Sequence, residues 1–185
     1  MDTYADDLLQ LFEQLDLKNV IMPRQERVLV GAVTPLMVQT EASPKANPLE
    51  VFDGFRTAMI NDRAQFFLDV PSGPFFGFNR PGAKVSQGLI QSWYQQGMMC
   101  GFVDAYECIK VFSETDLTED LKKIDIPVLV IHGDDDQVVP IQAAAYEAVK
   151  LLKNGRLVVV TGGPLALPNI GVDLVNQELS KFIEE

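Results

Sequence analysis

Basic residues are scarce in this chain: fifteen Lys and Arg stand against 26 Asp and Glu, a formal net charge of −11. So acidic a surface repels phosphate backbones and anionic bilayers, so neither nucleic acid nor membrane is an expected partner. Histidine is scarcer still. His132 is the only one, which excludes a His-rich metal shell and any mechanism built on two histidines. Two cysteines, Cys100 and Cys108, make no disulfide framework; eight positions apart, they read as small buried hydrophobes near one face of a helix. No apolar run approaches the ~18 residues of a membrane span. The acidic start, Met1-Asp2-Thr3-Tyr4-Ala5-Asp6-Asp7, has neither the basic nor the apolar region of a secretory signal. A reducing cytoplasm is the expected location.

What is present suits one folded domain. With 185 residues, 47% hydrophobic and 22% charged, the chain can bury a sizeable core. Leu8, Leu11, Phe12 and Leu15 fall at i, i+3, i+4 and i+7 behind a capping-box pair, Thr3 and Asp6, and predict an amphipathic helix. Val20-Ile21-Met22 stops at Pro23, and a nearly continuous apolar strand follows at 27–33. Asn47-Pro48 reads as an N-cap and first helical residue, with Phe52, Phe55 and Met59 on one side of the helix. Residues 71–82, dense in Pro, Gly and Phe, read as a loop with an apolar lining, either a pocket wall or packing beneath a long loop. Residues 86–113 carry a further helical stripe that includes Trp93, Tyr94, Phe102, Tyr106, Ile109 and Phe112, which reads as packing rather than a cofactor box.

The last third is the most regular. A buried strand at 126–132, a helix from Ile141 to Leu152, a strand at 157–160 and a final helix bearing Val172, Val175, Leu179, Phe182 and Ile183 alternate in order. Strand and helix in alternation imply right-handed crossovers, a parallel sheet and helices on its faces. The fold class is α/β, with no internal repeat. In such a sheet ligands gather at the carboxyl ends of the strands. One of those ends carries three carboxylates in His132-Gly133-Asp134-Asp135-Asp136-Gln137-Val138-Val139-Pro140. The cluster could bind a cation, orient a histidine or cap the next helix. The spacing does not suit calcium, because Val138-Val139-Pro140 interrupts the alternating ligands of a calcium loop, so no metal is expected.

That turn resembles the acid-residue turn of the α/β-hydrolase superfamily, in which the second of the spaced aspartates orients the catalytic histidine; here it is Asp136. Further blocks follow in order: Tyr4-Ala5-Asp6-Asp7-Leu8, Gly31-Ala32-Val33-Thr34-Pro35-Leu36-Met37, Asp62-Arg63-Ala64-Gln65-Phe66, Phe112-Ser113-Glu114-Thr115-Asp116 and Gly162-Gly163-Pro164. Together they resemble the cofactor-free bacterial haloperoxidase, perhydrolase and aryl-esterase branch over almost the whole chain. The resemblance implies no cofactor and a small apolar ester or acid as ligand.

It also implies parts this sequence lacks. The branch has an oxyanion-hole strand upstream of the first helix, a Gly-x-Ser-x-Gly nucleophile elbow after the strand matching 20–22, and a histidine base after Gly-Gly-Pro. No Gly-x-Ser-x-Gly occurs here, and the base position is Leu165. Ser72 and Cys100 sit on no strand-turn-helix elbow. His132 reads as a structural histidine at the strand end. The expectation is therefore a truncated or degenerate member without triad catalysis, with Asp136 as the relic of the triad acid. An active serine esterase or perhydrolase and a non-catalytic apolar-ligand-binding or assembly module are the alternatives. Phe76, Phe78 and Trp93 are the candidate binding residues.

Four residues between Met22 and Arg27 cannot supply a parallel crossover. Residues 20–22 therefore either turn back as a hairpin or leave the sheet. About three parallel strands remain, at 27–33, 126–132 and 156–160, in one domain with 48–113 as a cap-like helical insertion. The inner sheet edge is expected to be exposed and apolar, giving a homo-oligomer through that edge, unless 48–113 folds back over it.

Overall fold

The computed structural model describes residues 26–184; the helix expected at 8–15 and the segment 20–22 lie outside them. Three parallel strands form one sheet in the order β1 (Arg27–Val30), β2 (Val128–Gly133), β3 (Gly155–Val160). The α/β reading holds, with the strands where periodicity placed them. β2 is the central strand and buried along its whole length, as its unbroken apolar run requires when both faces are covered. Register sets the faces, because side chains alternate across a sheet. Leu29, Val130 and Leu157 are paired in register and pack with Val128 against α5 (Thr118–Lys123) and α6 (Ala145–Leu151) through Leu121, Ala145 and Ala148. On the opposite face Val30, Leu129, Ile131 and Val158 meet α7 (Leu167–Ile170) and α8 (Val172–Glu184) through Leu167, Val175, Leu179 and Phe182.

A helical layer stands between β1 and β2 in the chain: α1 (Leu49–Asn61), α2 (Arg63–Ser72), α3 (Gln87–Met99) and α4 (Phe102–Glu114). Asp62 caps α2 by accepting from the Gln65 N–H at 2.9 Å, and Ser86 caps α3 through the Leu89 N–H at 3.3 Å. Aromatic rings join these helices in a continuous series of contacts, Phe112, Phe52, Phe55, Phe66, Phe67, Trp93, Phe75, Phe76 and Phe78, with neighbouring centroids 5.0–6.2 Å apart. Among the described residues no helix is long and apolar enough to cross a membrane.

Several local expectations are corrected. β1 ends at Val30 because Gly31 turns the chain at φ +56°. Pro48 itself is the α1 N-cap, and the Asn47 side chain instead donates to the Val138 carbonyl at 3.1 Å. The stretch 71–82 is not all loop, since α2 continues through Pro71 to Ser72. Residues 86–113 form two helices that separate at Cys100 and Gly101, where the Arg63 guanidinium takes the carbonyls of Gly97, Met98 and Cys100. The cysteines consequently share no helix, and Cys100 is exposed while Cys108 is half-buried. Residues 141–144 form turns ahead of the shorter α6. On α8, Val172 and Ile183 fall outside the buried stripe and are 44% and 57% exposed.

Candidate functional site

β2 delivers the acid turn through a tight approach of two backbones. A Cβ on Gly133 would stand 2.0 Å from the Gly163 carbonyl oxygen, so only glycine lets the end of β2 lie against the turn after β3. The three carboxylates then take three separate partners. Asp134 accepts from the Gly162 N–H at 2.6 Å, which ties the two strand-end turns together. Asp135 pairs at 2.5 Å with Arg80, whose guanidinium also holds the Asp135 carbonyl. Asp136 is buried, and its Oδ1 accepts from the Val138 and Val139 N–H groups at 2.9 and 2.8 Å. Among the described residues, no three His, Cys, Asp or Glu side chains converge in a way that could hold a metal ion.

The second oxygen of Asp136 matters more. Oδ2 is buried without a hydrogen-bond partner and stands 3.3 Å from His132 Nε2. His132 is fully buried, and its Nε2 lies 2.9 Å from the Val139 carbonyl. A carbonyl only accepts, so Nε2 carries the ring proton. Nδ1 has no partner.

Above this turn lies a cavity of about 700 Å³. Its floor is made by residues just beyond the carboxyl ends of all three strands: Val33 and Met37 after β1, Val138 and Val139 after β2, and Leu165 after β3. Its walls come from the helical layer, with Phe55, Phe66, Phe67, Phe75, Trp93 and Phe112 among them. Leu165 also packs against the turn at Gly31, where a Cβ would meet Leu165 Cδ1 at 2.8 Å.

The structure brings Asp136, Leu165 and Trp93 to this region and separates Phe76 and Phe78 from it. Trp93 lines the cavity; Phe76 and Phe78 lie in a core cluster with Ile90 and Ala166. The aromatic loop is therefore divided: Pro74 and Phe75 line the cavity, whereas Phe76 and Phe78 are packing. Ser72 donates its hydroxyl to the Leu68 carbonyl at 2.6 Å. Sequence reasoning missed Arg80 and Asn79, which fasten the loop after α2 to the acid turn, the latter through Gln137 at 2.9 Å. The paired aromatics Phe66-Phe67 were a visible signal for the cavity walls.

Parallel strands, helices on both faces and an acid at the carboxyl end of the central strand define an α/β-hydrolase architecture, and the family model for the alpha/beta hydrolase fold matches residues 27–168. The chain belongs to that family, within its non-heme haloperoxidase group. It is 57% identical over 157 residues to a non-heme haloperoxidase of Rhodococcus erythropolis, covering 85% of this chain and 57% of that protein. A non-heme chloroperoxidase of Burkholderia pyrrocinia is 46% identical over 206 residues, covering 100% of this chain and 74% of the relative. Those 206 aligned positions against 185 residues leave 21 without a counterpart here. Among solved structures, the bromoperoxidase from Bacillus anthracis superposes with a TM-score of 0.88 at 27% identity, covering 100% of this chain and 74% of that one.

Proposed function

We propose that this chain is a truncated haloperoxidase-type α/β-hydrolase without triad catalysis, and that it keeps the cavity as a site for apolar ligands. The observation that carries the reading is the state of the only histidine: His132 is fully buried and gives its Nε2 proton to the Val139 carbonyl. Leu165, at the position where the family places its base, is an aliphatic part of the cavity floor. The 21 unmatched positions support a chain shorter than its relative within the aligned region. A serine nucleophile needs a base within hydrogen-bond reach, and losing triad members leaves at most about 10³–10⁴-fold over water. Hydrolysis of p-nitrophenyl acetate, with Asp136→Asn as control, tests this. Equal background rates are expected; turnover that disappears with Asp136 favours the active esterase or perhydrolase instead.

The chain is one domain in this reading, with 48–113 as its cap-like helical insertion, and it self-associates through the free edge of β1. Support comes from that edge: the outer side of β1 pairs with no strand among the described residues, and Val28 is 38% exposed. Sedimentation velocity should show concentration-dependent association that Val28→Lys weakens. A monomer at all concentrations would end the proposal.

A further inference from the structure

The cavity floor carries no polar side chain. It consists of Val33, Met37, Val138, Val139 and Leu165, and the hydrogen-bonding groups around it are already engaged with one another. Asp136 Oδ1 takes the Val138 and Val139 N–H groups at 2.9 and 2.8 Å, His132 Nε2 donates to the Val139 carbonyl at 2.9 Å, and the Leu165 carbonyl accepts the Leu167 N–H at 2.8 Å. Neither Asp136 nor His132 lines the cavity. The polar lining residues, Asn61, Asp62, Gln65 and Asp69, are all exposed and lie at the end of α1 and along α2, away from the strand ends. A water molecule held at the floor would need about two to four polar partners, which these side chains do not supply.

Leu165 occupies the middle of that floor. It follows β3, yet its Cδ1 would stand 2.8 Å from a Cβ on Gly31, in the turn after β1. Because the strand order is β1-β2-β3, a contact between those two turns crosses the end of central β2. Resting on the reading of the cavity as a ligand site, we propose that Leu165 is its specificity-determining residue and that the cavity takes neutral aromatic hydrocarbons without a hydrogen-bonding group. Their rings pack edge to face against Phe55, Phe66, Phe75 and Trp93. A carbonyl or hydroxyl carried inward leaves its water and gains no partner in return.

Diphenylmethane, benzophenone and diphenylmethanol decide the matter, because the polar atom of the last two sits between the rings and follows them inward. Binding is read by displacement of the neutral probe N-phenyl-1-naphthylamine and by the rise in melting temperature. Diphenylmethane should bind about tenfold more tightly than either polar analogue. Leu165→Gln should narrow that gap to within about threefold by offering an amide at the floor, and Leu165→Met, of similar length but apolar, should preserve it. A polar analogue that binds wild-type protein as tightly as diphenylmethane overturns the selection and leaves the cavity reading standing. A gap unchanged in folded Leu165→Gln overturns the role of Leu165. Should that variant not fold, the wild-type series still decides the selection. No binding of any of the three, or of the probe, overturns the cavity reading, and this inference falls with it.

Discussion

The acid turn and the helical layer above it are built by opposite means. Around the turn, backbones touch, central strand residues are almost wholly inaccessible, and each aspartate is held by named donors. The layer holds together by a series of ring contacts and encloses about 700 Å³ of open space. Close-packed regions transmit any change in volume, whereas a wall beside an existing void can absorb one. Position is fixed below the cavity floor and adaptability is kept above it.

The sharpest way to break this contrast is to add atoms on each side. Gly133→Val should cost about 3 kcal/mol or more, seen in chemical denaturation, because the Gly163 carbonyl already stands 2.0 Å from where even a Cβ would be. Gly54→Ala, in α1 with nothing within 4 Å of the new methyl, should instead stabilise by up to about 1 kcal/mol. If both substitutions have similar effects, the two regions do not differ as described. Removing atoms is the next test. Ile131→Ala, in fully buried β2, should lose about 2–5 kcal/mol. Phe55→Ala, at the edge of the existing void, should lose about 1–2 kcal/mol, because little new cavity is created. Comparable losses would mean that the void is closed in solution.

The loop after α2 connects the two regions. Arg80→Ala removes its ion pair with half-exposed Asp135 and should cost about 1 kcal/mol, with hydrogen exchange rising at both 73–83 and 134–139. Exchange confined to one segment would show that the link does not couple them. The smallest effect lies at the N-terminus of α5. Hydrogen bonds from the Thr118 hydroxyl and backbone N–H hold the Asp116 carboxyl below the usual carboxylate range. A carboxyl lowered by folding stabilises above its unfolded value of about 3.9, and that contribution is lost as pH falls through the folded value. Asp116→Ala should therefore lower the melting temperature slightly at pH 7, and the two proteins should converge below about pH 4. A constant difference down to pH 2 would assign the effect to packing.

Much of the frame was legible because its signals are local. The apolar run of β2, the alternation with helices and the turn carrying Asp136 are each read within a few residues, and all three strands appear where expected, give or take a terminal turn. The candidate ligand residues were less legible. Trp93, Phe76 and Phe78 look alike in a helical or loop pattern, yet one faces a void and two face the core. Periodicity says that an aromatic residue will be covered and not by what.

By itself the sequence determined the α/β class, the strand-end placement of the acid and the absence of a second histidine, since short-range pattern and composition suffice for these. Only the tertiary structure decided that His132 turns its proton to Val139, that Leu165 floors a cavity, and that Arg80 and Asn47 reach across 55 and 91 positions to Asp135 and Val138. Such contacts depend on which surfaces meet after the sheet and the helical layer close on each other, and no local pattern along the chain encodes that meeting.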